Sequence, residues 1–125
     1  MDKILLLAAG GAAGAVLRYG VSGITHKFMG EGFPWGTLCV NILGAFALGA
    51  LSGAAEKFVI SHNVRILLFI GLLGAFTTFS AYSLESLDLL RSGQARLALT
   101  NIFFNNAACI GAVFLGFVAA KYSIG

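Results

Sequence analysis

Stretches without a single Asp, Glu, Lys or Arg dominate this chain, and short polar joints separate them. Four apolar segments stand out, at residues 4–25, 33–55, 66–90 and 97–121. Arg18 alone interrupts the first, and the third acquires its acids, Glu85 and Asp88, only near its end. A helix rises about 1.5 Å per residue, so about 20 apolar residues cross about 30 Å of hydrocarbon. Each segment is long enough, and the pattern predicts four transmembrane helices. The joints near 26–33, 56–65 and 91–96 hold no long loop, Ser/Pro linker or charged tail, so residues 1–125 read as one transmembrane domain.

Composition removes the alternatives. The chain is 58% hydrophobic and 10% charged, with one Pro. Soluble domains run to about 45–50% apolar and about 25% charged. A soluble fold of this length cannot hide so much apolar surface, and a disordered chain would carry far more charge. Collagen is excluded by the single Pro. The N-terminal segment, with Met1–Lys3 nearly neutral and a small-residue run at 8–15, is read as a first membrane helix rather than a cleaved signal, because three more apolar segments follow.

The formal charge of +3 does not indicate a nucleic-acid partner. The basic residues Lys3, Arg18, Lys27, Lys57, Arg65, Arg91, Arg96 and Lys121 form no stripe; they sit at the edges of apolar runs, where cations snorkel. Their sides nearly balance: Lys3, Lys57, Arg65 and Lys121 on one, Lys27, Arg91, Arg96 and, if it reaches the interface, Arg18 on the other. Orientation follows from such bias. Without it, a chain can insert both ways and pair as an antiparallel two-fold dimer, an inverted repeat built from two copies; the alternative is a weak bias rescued by a feature outside the charge count. Gly10–Gly14 and Gly49–Gly53 are G-x-x-x-G steps that let helix backbones approach. They serve either packing within the chain or a dimer seam. Cys39 and Cys109 lie inside apolar segments as free thiols, with no zinc spacing.

Polar residues inside a membrane are expensive and mark function by default. Asn41 lies deep in the second segment, with Thr37 one turn earlier on the same face; it serves either an interhelical hydrogen bond or an ion path. The third segment carries Gly71 and Gly74, then Thr77 and Thr78, then Phe79, Ser80, Tyr82 and Ser83. Gly lowers the cost of non-helical angles, and Ser and Thr compete for backbone hydrogen bonds, so a break near 74–78 is expected at mid-membrane. Freed carbonyls suit a cation, and the edges of Phe79 and Tyr82, three residues apart, suit an anion. In the fourth segment Asn101, Asn105 and Cys109 recur every four residues beside Thr100 and Asn106. That stripe either glues helices or walls a wet pathway, and the number of polar groups favours the pathway. His26 and His62 fall in joints, and no catalytic triad, metal spacing or P-loop is present, so no enzyme is expected.

Together, Gly10–Tyr19 (GGAAGAVLRY), Gly36–Asn41 (GTLCVN) and Thr77–Ser80 (TTFS) resemble the fluoride channels of the Fluc (CrcB) family. The resemblance implies an all-α integral membrane protein with four helices per chain and helix 3 broken at mid-membrane. It implies an antiparallel dual-topology homodimer with two pores and a central structural Na⁺, exporting F⁻ passively across the cell inner membrane. Carried over, Asn41 is the pore amide, Phe79 and Tyr82 are the two path aromatics, and Arg18 is the vestibule arginine. Ser80, Ser83 and Thr37 form a polar track with Glu85 one turn beyond it. The backbone carbonyls of Gly74 and Thr77 hold Na⁺, two from each subunit. From helix 4 the resemblance points to the position of Cys109, and the polar stripe itself adds Asn105 to the expected path. The chain departs from the family in three places: Tyr82 for a usual Phe, Ala75 for a second Gly, and Cys109 about where a serine is expected, a weaker donor. The Tyr82 hydroxyl either donates to an anion or alters the constriction. The runner-up, a small four-helix proton-coupled multidrug-type transporter, needs a carboxylate in the first helix, and residues 4–25 have none.

Overall fold

A computed structural model describes residues 2–124, and among them every regular element is helical. Helix α1 spans Asp2–Met29, α2 Trp35–Ala54, α3 residues 62–76, α4 Phe79–Arg91 and α5 Ala95–Ile124. Helices α3 and α4 together form a third span, His62–Arg91, so four helical segments are long and apolar enough to cross a membrane. Helix α1 runs past its apolar stretch to Met29 and stops at Gly30, whose φ of +84° suits a residue without a Cβ. The Gly30 N–H closes the end by donating to the His26 carbonyl at 2.9 Å. Gly93, at φ +78°, turns the chain from α4 into α5.

Helix α2 lies along α5, and α1 lies along α3. Both G-x-x-x-G steps are used in these contacts. A Cβ on Gly10 would strike the Leu67 carbonyl, and one on Gly14 the Leu72 carbonyl. On the other pair, Gly49 and Gly53 lie against the Val113 and Phe117 carbonyls, and Gly116 answers from α5 against Phe46. The steps therefore bring backbones together within one chain. Few large side chains are fully covered, Val40 and Asn101 among them, so backbone approach rather than a side-chain core unites the helices. Ile4, Val16, Leu99, Phe103 and Ile110 stand exposed, as expected of surfaces that face lipid tails.

The third span departs from regular α-helix twice. Arg65–Leu73 is π-helical over 9 residues, a widening that nothing in its Ile/Leu/Phe sequence marks. It coincides with the stretch on which Gly10 and Gly14 pack. The expected break then occurs at Thr77 (φ −85°, ψ 158°) and Thr78 (φ −151°, ψ 125°), both extended, near the middle of the span. Gly74, just before it, is still helical at φ −62°, ψ −36°. At the end of the bundle that holds the 55–61 joint, Lys121 pairs with Glu56 at 3.2 Å and lies over the Phe117 ring.

Candidate functional site

A helix break inside a membrane leaves backbone groups that water cannot reach, each costing several kcal/mol if unpaired (about 1–3 kcal/mol in mutational terms). Asn41 of α2 resolves this at Thr78. Its Oδ1 accepts from the Thr78 N–H at 2.8 Å, and its Nδ2 donates to the Thr78 carbonyl at 3.0 Å. An N–H only donates and a carbonyl only accepts, so the orientation of the Asn41 amide is settled by its partners. The amide copies the pairing of a neighbouring strand. Thr78 in turn caps α4, its Oγ1 accepting from the Ala81 N–H at 3.2 Å. Thr77 keeps its N–H on the Leu73 carbonyl at 3.1 Å and adds its hydroxyl to the same oxygen at 2.9 Å.

From Asn41 a directed chain of amides crosses the bundle. The second Nδ2 proton of Asn41 goes to Asn105 Oδ1 at 3.0 Å. Asn105 donates to the Asn101 carbonyl at 2.9 Å and to Asn101 Oδ1 at 2.8 Å. Asn101 donates to Ser86 Oγ at 2.9 Å, and Ser86 donates to the Tyr82 carbonyl at 2.9 Å. Asn101 is 0% exposed, and Ser86 and Asn105 are buried with it. The period-four stripe of the last helix thus divides: Asn101 ties α5 to α4, while Asn105 and Cys109 reach a cavity.

Two cavities meet at Thr78. The first, about 320 Å³, is lined by Asn41, Gly74, Thr77, Thr78, Phe79, Tyr82, Asn105, Asn106 and Cys109 together with Gly44, Leu48 and other apolar groups. No residue that carries a formal charge lines it. Phe79 and Tyr82 meet edge to face across its wall, with centroids 5.1 Å apart at 75°. The second, about 610 Å³, is lined by Arg18, Ser22, His26, Thr37, Thr78 and Glu85 beside small and apolar residues. Glu85 Oε1 is buried there without a hydrogen-bond partner among the described residues.

The sequence-marked residues therefore fall into three groups. Asn41, Gly74, Thr77, Phe79, Tyr82, Asn105 and Cys109 come together around the first cavity. Arg18, Thr37 and Glu85 come together around the second. Ser80 and Ser83 lie exposed on α4 and line neither; Ser83 donates to the Phe79 carbonyl at 2.8 Å and Ser80 lies 3.4 Å from the Thr78 hydroxyl. Three participants were not marked as site residues in the sequence, although Thr78 fell within the expected break. Thr78 joins the cavities, Ser86 ends the amide chain, and His26 faces the second cavity rather than a joint. A hydroxyl one turn beyond Tyr82 was a signal for Ser86, whereas His26 reaches the second cavity because the first helix continues to Met29.

An extended break clamped by an amide thus lies between a cavity lined by uncharged donors and a second one that carries formal charges. Comparison with known proteins gives the family. The family model described as CrcB-like protein, Camphor Resistance (CrcB), matches residues 5–117. The chain is 43% identical over 121 residues to a protein of Parabacteroides distasonis, covering 97% of this chain and 94% of that one. It is 45% identical over 116 residues to one of Shewanella amazonensis, covering 93% and 94%. It is 48% identical over 120 residues to one of Dehalococcoides mccartyi, covering 93% and 90%. All three relatives are named fluoride-specific ion channel FluC. This chain belongs to the CrcB family.

Proposed function

We propose that the chain is a fluoride-specific channel of the cell inner membrane, working as an antiparallel homodimer that lets F⁻ leave the cell passively. The observation that carries the reading is a cavity lined by amide, hydroxyl and aromatic-edge groups without formal charge, in a chain whose full-length relatives are fluoride-specific channels. Fluoride is small and strongly hydrated, so a path must replace its water with close donors while binding weakly enough to release it. A fixed Lys in the bore would hold the ion. The negative interior drives the anion outward with about 2.3 kcal/mol per 100 mV.

In this reading Arg18 concentrates anions in the second cavity, and Thr37 and Glu85 line the way from it towards Thr78. Asn41, Phe79, Tyr82, Asn105 and Cys109 line the narrower part, with Ser80 and Ser83 on the exposed side of α4 towards the partner. Asn41 donates to the ion by exchanging one of its two present acceptors, Thr78 O or Asn105 Oδ1. The second copy is supported by the balanced charges and by open small-residue surfaces: a Cβ on Gly11, Gly20, Gly23 or Gly111 would meet nothing within 4 Å.

The residues fit a structural Na⁺. The helical partner of the Gly74 carbonyl would be the Thr78 N–H, which Asn41 takes instead. The Gly74 oxygen is thereby released on an exposed face, next to the extended Thr77. Such carbonyls are hard ligands of the kind that unwound helices offer to Na⁺. Contributions of Gly74 and Thr77 from two copies would complete the shell, and the ion would fasten the two breaks together.

The test is efflux from liposomes holding the reconstituted protein, with the potential clamped by an ionophore. Fluoride should leave rapidly and chloride should not. Absence of selective F⁻ efflux overturns the channel reading, and efflux tied to H⁺ movement replaces it with an exchanger. Labelling of a single cysteine in the 57–62 joint from both sides of the membrane is expected for dual insertion; labelling from one side overturns it.

A further inference from the structure

Most donors around the uncharged cavity already have acceptors within the protein. Asn41 gives its two amide protons to Thr78 O and Asn105 Oδ1, and Asn105 gives both of its own to Asn101. Thr77 gives its hydroxyl proton to Leu73 O. The Thr78 hydroxyl accepts from Ala81 and shares a 3.4 Å contact with Ser80. Asn106 donates to the Ile102 carbonyl at 2.7 Å, which settles the orientation of its amide, and gives its other proton to the Tyr82 hydroxyl oxygen at 3.1 Å.

Tyr82 is the exception among the nitrogen and oxygen donors; the Cys109 thiol, a weaker donor, also has no acceptor among the described residues. The Tyr82 oxygen acts as an acceptor, so its own O–H proton points elsewhere, and among the described residues no protein acceptor takes it. The ring is only 8% exposed and is braced edge to face against Phe79, so the hydroxyl cannot turn out to lipid. Tyr82 is one of the residues that line the cavity. An O–H bond to an anion is short and charge-assisted, stronger than contact with a ring edge.

We propose that the Tyr82 hydroxyl, held by Asn106, is a direct hydrogen-bond donor to the small anion in this cavity and sets how tightly fluoride is held there. The proposal rests on the channel reading above and adds a determinant of affinity to it. Asn106 is a positioning residue: it occupies a lone pair of the phenol oxygen and so leaves the proton for the ion. Between the two roles open to Tyr82 in the sequence, donation to the ion is the one the hydrogen bonds favour.

The experiment is fluoride flux against fluoride concentration for the full chain reconstituted in liposomes, with Tyr82→Phe and Asn106→Ala beside the unaltered protein. Tyr82→Phe keeps the ring and its contact with Phe79. It should raise the half-saturating fluoride concentration about tenfold, the lower end of what a hydrogen bond to a charged group contributes, while maximal flux is kept or increased. Asn106→Ala should raise it about threefold through loss of orientation alone, and the double variant should match Tyr82→Phe. Unchanged half-saturation in Tyr82→Phe overturns the proposal, as does a fall in maximal flux without a shift in half-saturation, which marks a structural role. If Tyr82→Phe does not fold, unchanged half-saturation in Asn106→Ala overturns it instead. Unaltered protein that passes no fluoride overturns this proposal and the channel reading together; unaltered protein that conducts, with Tyr82→Phe indistinguishable from it, overturns this one alone.

Discussion

The two cavities that meet at Thr78 are built on opposite principles. The wider one places a guanidinium, an imidazole and a carboxylate around about 610 Å³. The narrower one holds about 320 Å³ with amides, hydroxyls, a thiol and aromatic rings and no formal charge. Formal charges act over several ångströms and gather ions from solution, but they are screened and they trap what they gather. Neutral dipoles act at contact distance and discriminate by geometry. In the proposed channel the charged cavity would collect ions and the uncharged one would select them. Thr78 is common to both cavities, and Asn41, which lines the uncharged one, completes its backbone pairing.

That comparison can be broken most severely at the meeting point. Asn41→Asp places a carboxylate oxygen against the Thr78 carbonyl and removes both donors. Fluoride efflux should disappear while the variant still migrates as the unaltered protein in size-exclusion chromatography; efflux at the usual rate would detach Asn41 from the path. The next effect is on stability rather than conduction. Asn101→Ala removes the donor to Ser86 Oγ and one of the two acceptors of Asn105, whose bond to the residue-101 carbonyl remains, so detergent unfolding should show a loss of about 1–3 kcal/mol, with fluoride flux retained in the surviving fraction. A large flux defect without loss of stability would move Asn101 from the frame into the pathway.

Smaller effects test the collecting chamber. Arg18→Gln should lower flux severalfold at low ionic strength, and the difference should shrink as salt is raised, because the Debye length falls from about 30 Å at 0.01 M to about 8 Å at 0.15 M. A deficit independent of salt would mean that Arg18 contacts the ion in transit rather than gathering it. Ser83→Ala is the mildest change. The residue is exposed on α4 and its hydroxyl is returned to the Phe79 carbonyl, so stability should change by no more than about 0.5 kcal/mol. Its flux should stay within about twofold of normal unless a partner copy brings this face into the path.

Much of the frame was legible because a bilayer leaves a chain few choices. Segments of the right length and apolarity must be helices, and the Gly-Thr-Thr-Ser composition of the third span signalled its break to within a few residues. The glycine steps announced close backbone contact, although two readings of their partner were open, and they serve contacts within the chain. The site was legible as a list of residues but not as groups. Asn101 and Asn105 share one helix face, yet one is sealed against Ser86 while the other reaches a cavity. His26 read as a joint residue because charge-free runs end before it, while α1 continues to Met29 and carries it to the cavity that Arg18 also lines.

The sequence by itself determined what depends on composition and local periodicity: residence in lipid, four helical spans, a weak point in the third, and a set of neutral polar residues too costly to bury without use. Only the tertiary structure decided what depends on distance between helices. It directed Asn41 onto the backbone of Thr78, 37 positions away, widened Arg65–Leu73 into a π-helix against the glycines of α1, and left the Tyr82 proton without an acceptor among the described residues. Hydropathy is a sum over neighbours in sequence, whereas a hydrogen bond is made or lost within a few tenths of an ångström between groups that only folding brings together.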